Sequence, residues 1–204
     1  MPTALADLSA LTPLTNVTFG LAIENLDRLT NLHALRNINR LDEFIKINDN
    51  DALVDLSGLD GITFIYGEVE IAGNDRLQTL DGLNNVTSTA SVIIRDNPVL
   101  QTLSAFSNLE QISQRITIEN NDSLISLEGL DQLTFSTDVS IKENANLENI
   151  DALFNLNEVV YLYHFVNNPN LCTSTIIELR DLIASRNGIS GPEFHQISGN
   201  NVCN

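Results

Sequence analysis

The chain has 204 residues, 27 of them acidic and 10 basic, which leaves a formal net charge of −17 at 43% hydrophobic content. A chain of this length buries roughly 70% of the surface its unfolded form exposes, so one domain can build a core without a disulfide framework or a structural metal. The acidic balance excludes the basic patch that a nucleic-acid backbone or an anionic membrane surface demands.

At the N-terminal end the longest charge-free stretch, Ser9 to Ile23, carries Thr, Asn, Pro and Gly and is too short and polar to span a bilayer. No membrane insertion is expected. Asp7 and the lack of early Lys or Arg exclude a secretory signal, so Met1 reads as the start of a cytosolic protein or as the scar of an excised domain that lacks its signal peptide. Met1 to Leu5 enters straight into a repeat, so the first leucines should be bare on one end. Association through that end, with a missing domain or a second copy, is the expected consequence.

From Leu5 onward leucines recur at 29, 53, 77, 100, 124, 147 and 171, at spacings of 23 or 24 residues. Three further apolar positions follow each of the first seven at steps of three, as in Leu53, Leu56, Leu59 and Ile62. Later in each turn the period drops to two. Leu21/Ile23, Ile45/Ile47, Val69/Ile71, Val92/Ile94, Ile116/Ile118, Val139/Ile141 and Tyr163/Phe165 alternate with mostly polar residues, the mark of short strands with one buried face. The pattern predicts a mainly β solenoid of about seven 24-residue turns over residues 1–171.

Two columns describe how the turns stack. One holds Ala10, Ala34, Gly58, Gly82, Ala105, Gly129 and Ala152; because Ala is accepted as freely as Gly, corner crowding explains it better than a need for positive φ. The other holds Asn50, Asn74, Asn97, Asn121, Asn144 and Asn168, each three residues before a leucine anchor, with Leu26 in that place in the first turn. Such a column is expected to be a structural ladder of side-chain amides bonding buried backbone.

In the last strand, VVYLYHFVNN, Tyr161, Tyr163 and Phe165 take the inward parity, leaving Val160, Leu162, His164 and Val166 as an apolar outward stripe. A tail folded back around Phe194 is expected to cover it, with a partner surface as the alternative. Residues 172–204 form a C-terminal cap. Thr175 and Glu178 have capping-box spacing, Ile176, Leu179 and Ile183 share a face, and Gly188 is a stop, which places a helix at about 175–186. Cys172 and Cys203 read as a disulfide clamp formed in an oxidising compartment, the alternative being two unrelated free thiols.

The motif IxIxxNxxLxxLxGL, seen in VEIAGNDRLQTLDGL and ITIENNDSLISLEGL, resembles the receptor L-domain family of insulin and EGF receptor ectodomains and of fungal and bacterial surface proteins. It also resembles ordinary leucine-rich repeats, which have one residue between the Asn and the next Leu where this chain has two. The resemblance implies a right-handed β-helical solenoid displayed at the cell surface.

No catalytic motif is present: the chain has no GxSxG, HExxH, P-loop or dinucleotide glycine fingerprint, and His33, His164 and His195 are scattered. An enzyme is not expected, nor a cofactor, and neither cysteine has metal-ligand spacing to another. NDND at 48–51 and ENND at 119–122 look like calcium ligands but recur at a turn corner, so they read as part of the asparagine ladder. The sequons at Asn16, Asn85 and Asn121 are no more than chance supplies among 26 asparagines, and Asn121 should be inaccessible.

Outward strand positions are where a binding module keeps its information. One file runs Ala22, Lys46, Glu70, Ile93, Thr117, Ser140, His164; the other runs Glu24, Asn48, Ala72, Arg95, Glu119, Lys142, Val166. Lys46, Glu70, Arg95, Thr117, Glu119, Lys142 and His164 form the candidate binding face, against the alternative of a solvated surface of mixed charge. The expected function is a non-catalytic extracellular recognition or adhesion module for a protein or glycan. A cell-surface or cell-wall spacer with no specific ligand is the alternative.

Overall fold

The computed structural model describes residues 5–186 and 195–203. The period-two pairs become seven strands: β1 (Leu21–Glu24), β2 (Ile45–Asn48), β3 (Glu68–Ala72), β4 (Ser91–Arg95), β5 (Arg115–Glu119), β6 (Phe135–Lys142) and β7 (Glu158–Val166). They pair in parallel and in sequence order, and an eighth, β8 (His195–Ser198), joins beyond β7. Ile23, Ile47, Ile71, Ile94, Ile118, Ile141 and Phe165 stand in register down the inner side. Two small sheets, Asn16–Val17 with Arg40–Leu41 and Ser88–Thr89 with Gln111–Ile112, mark another wall. Seven successive strands bound six complete turns, so the solenoid has about six, not seven.

The leucine columns fill the space between the walls. Leu53, Leu56, Leu59 and Ile62 have no exposed surface, nor do their counterparts Leu77, Leu80, Leu83 and Val86. Each such side chain contributes about 1.5–3 kcal/mol of burial, repeated at every turn. In the first turn Leu5, Leu11 and Leu14 are 48%, 37% and 40% exposed.

The Ala/Gly column follows a different rule from the expected one. Gly58, Gly82 and Gly129 take φ of +118°, +116° and +111°, and a Cβ on any of them would run into the carbonyl of Leu32, Leu56 or Leu103. Positive φ is thus required at the glycines. The alanines avoid it by changing the turn: Ala10, Ala34, Ala105 and Ala152 lie in short 3-10 helices, Ser9–Leu11, His33–Leu35, Ser104–Phe106 and Asp151–Asn155.

The cap is one helix, α1 (Thr173–Ser185), burying Ile176, Leu179 and Ile183 against the last turn. It begins two residues before the expected start. Cys172 is the N-cap and makes no side-chain cap bond, so Thr175 and Glu178 sit inside the helix, not in a capping box. Gly188 and Phe194 lie outside the described residues. Tyr163, whose hydroxyl burial holds well above its ordinary pKa, donates that hydroxyl to the Ile176 carbonyl at 2.9 Å. Arg186 donates to the Phe154 and Leu156 carbonyls at 3.0 and 2.8 Å, fastening the helix end to the same turn. Cys172 and Cys203 are disulfide-bonded, with Cα atoms 5.4 Å apart.

Tyr161 departs from the expected parity and is 62% exposed. The cause is a register shift: Ser136 pairs with Val159 but Asp138 with Leu162, so β7 carries an extra residue between them and the inward alternation resumes only at Tyr163. The described tail pairs with the edge of β7, matching Phe165 with Ile197, and so extends the sheet.

Candidate functional site

The ladder asparagines are fully buried and share one geometry. Asn97 donates its side-chain amide to the Ile71 carbonyl of the preceding turn at 3.0 Å and to the Arg95 carbonyl at 2.8 Å, while its backbone N–H donates to Oδ1 of Asn121 at 3.2 Å. Asn50, Asn74, Asn121, Asn144 and Asn168 repeat the arrangement, and Asn50 Oδ1 accepts the N–H of Leu26 at 3.1 Å. Oxygens and amide hydrogens of this column are thus committed to backbone, away from solvent.

The residue before each ladder position is left-handed: Asn25, Asp49, Asp96, Asn120, Glu143 and Asn167 have φ of 55–58°, and Gly73 has 66°. That column accounts for the NDND and ENND clusters, since Asn, Asp and Gly tolerate this conformation best. Among the described residues no group of three or more His, Cys, Asp or Glu side chains is arranged to hold a metal ion. No helix among them is long and apolar enough to cross a membrane.

The outward face divides into two parts. On β2 to β5, Glu70 takes Lys46 at 3.1 Å and Arg95 at 2.7 Å, one partner per carboxylate oxygen, and Lys46 also reaches Glu68 at 2.7 Å. Arg115 stands 3.6 Å from the second oxygen of Glu68. Glu70 is 9% exposed; burial opposes its charge, but the hydrogen bonds from Lys46 and Arg95 prevail and hold its carboxyl below the ordinary value. Lys46 is raised, through its hydrogen bonds to Glu68 and Glu70. Thr117 and Glu119 border the same shallow groove, about 370 Å³ in volume.

Lys142 and His164 do not join this cluster. Lys142 lies beside Glu119 on β6 and His164 beside Ser140 on β7, in the next turns along. Glu68 and Arg115 were missed by the two-file reading. They occupy a third outward position, one residue before the first inward residue of β3 and β5, and extending the alternation one step toward the N-terminus of each strand would have found them.

The groove presents hydrogen-bond donors and acceptors of both charges across four strands, over the inward Val69, Ile71, Ile94 and Ile116 of the core. Compared with family models, with curated proteins and with solved structures, the chain finds no match.

Proposed function

We propose that this chain is a non-catalytic recognition or adhesion module displayed outside the cell, taking a protein or glycan across the outward face of β2 to β5. The observation that carries this reading is the ion-pair network of Lys46, Glu68, Glu70, Arg95 and Arg115. A spacer needs only the inward columns, whereas here long outward side chains from four successive turns are tied into one arrangement. Polar groups held in place before binding lose less entropy when a ligand arrives. The Cys172–Cys203 bond suits a protein that matures in an oxidising compartment, and the motif resemblance to receptor L-domains points the same way.

The test immobilises the chain and probes it with a glycan array and with a solubilised cell-surface fraction, beside an Arg95→Glu/Arg115→Glu variant. Retention by the wild type that the variant loses supports recognition. Retention of nothing overturns it in favour of a spacer, and equal retention by both overturns the assignment of binding to this face.

A further inference from the structure

Two adjoining corner columns change sharply in side-chain size. Backbone bonds link Phe19, Glu43, Gly67, Ala90 and Gln114 from turn to turn, and beside them run Gly20, Phe44, Glu68, Ser91 and Arg115. The fall from Glu43 and Phe44 to Gly67 and Ala90 opens a cleft of about 400 Å³. A Cβ on Gly67 would stand 2.7 Å from the Glu43 carbonyl oxygen, so the floor of the cleft is bare backbone.

Its walls are of two kinds. Tyr66, 69% exposed, is held edge-on against Phe64 with ring centroids 4.5 Å apart, and Phe44 stands beneath Lys46, whose ammonium is 5.5 Å from the ring centre. Glu43, Ser91 and Gln114 line the rest of the cleft, and the Ser91 hydroxyl donates to Gln114 Oε1 at 3.5 Å. Aromatic surface facing a few convergent polar groups is the make-up of a small-ligand site.

We infer that this cleft is a subsite for an uncharged sugar residue of a glycan, an inference that rests on the recognition reading above. A pyranose has a face of C–H groups that covers an aromatic ring and a rim of hydroxyls that donate to carboxylates and accept from amides. Charge selects among ligands. On a chain of net charge −17, the neighbourhood of the cleft is close to balance: Glu68 and Glu70 are paired with Lys46, Arg95 and Arg115, and Glu43 stands outside those pairs. An anionic group in the cleft would meet the Glu43 and Glu68 carboxylates, and Glu68 is already engaged by Lys46, which leaves a cationic group only the solvent-exposed Glu43.

Wild type, Tyr66→Ala, Tyr66→Phe and Glu178→Gln are applied to an array of neutral, amino-sugar and uronic-acid oligosaccharides, and the tightest neutral binder is titrated into isotope-labelled chain. The expected result is retention of neutral sugars, amide shifts at Gly67, Ala90 and Ser91, a loss of about tenfold for Tyr66→Ala, and near wild-type affinity for Tyr66→Phe and for Glu178→Gln on the exposed side of α1. If Tyr66→Ala melts early, Gln114→Ala takes its place. Neutral sugars that bind equally to the ring-less variant, or binding confined to charged sugars, overturn the inference. Retention of a surface protein but no sugar overturns it and leaves the recognition reading standing; retention of nothing overturns both.

Discussion

Asn168 donates its backbone N–H to Oδ1 of Asn200 at 3.0 Å, a bond spanning 32 residues where the equivalent bonds along the solenoid span 23 or 24. Asn200 in turn donates to the Phe165 carbonyl at 2.7 Å. The tail therefore supplies a further rung of the ladder after the chain has passed through α1. Ile197 stacks on Phe165 and Gly199, at φ +69°, takes the left-handed corner, so the tail repeats the turn in miniature.

The disulfide holds that rung in place. Cys172 and Cys203 are 31 residues apart, and closing a loop of that size stabilises by about 3 kcal/mol. Reduction is expected to lower the melting temperature and to speed hydrogen exchange at the Asn168 amide before that at Asn97. Uniform exchange along the ladder after reduction would contradict this.

Asn97→Ala strands the Asn74 N–H, which donates to Asn97 Oδ1, removes the side-chain donor from the Ile71 and Arg95 carbonyls, and should cost about 1–3 kcal/mol in a denaturant titration. Arg95→Ala, whose side chain is 47% exposed, should cost less than about 1 kcal/mol. Equal losses would mean that the ladder is not structural.

The two corner types predict opposite tolerances. Gly82→Ala places a Cβ against the Leu56 carbonyl at φ +116° and should destabilise by about 1–3 kcal/mol or prevent folding. Ala105→Gly, in a 3-10 turn, should cost about 1 kcal/mol or less. Thermal melts of the two variants decide it.

Acid acts on the network with a defined sign. The Glu70 carboxyl is held below its ordinary value, so its contribution is complete above the unfolded value of about 4.3 and is lost as pH falls through the lower folded value. The destabilisation caused by Glu70→Gln at neutral pH should therefore shrink toward zero in acid. Asp51 is the reverse: desolvation and then its neighbours Asp75, Asp27 and Asp49 raise its carboxyl. Asp51→Asn should stabilise at neutral pH, and the gain should fade in acid and shrink only in part in high salt, which screens the neighbouring carboxylates but not the desolvation. Denaturation curves at several pH values measure both trends.

The leucine columns and alternating pairs dictated a stacked parallel solenoid, because apolar residues that recur every 23 or 24 positions can leave water together only by lying above one another. The ladder column was legible for the same reason. A second asparagine column was not: Asn37, Asn85, Asn108 and Asn155 donate to the carbonyls of Thr12, Asp60, Asn84 and Asp131 at 2.7–2.8 Å, and its gaps at Gly61 and Gln132 break the period. Asn200 carried the ladder's spacing from Ile197 but fell outside the leucine register. The placement of Tyr161, the pairing of Glu68 with Lys46 and Arg115, and the cleft over Gly67 were decided by tertiary structure alone. Each depends on an extra strand residue, or on the reach and relative size of side chains brought side by side from different turns. Along the chain those residues lie more than twenty positions apart, and their local patterns carry no mark of one another.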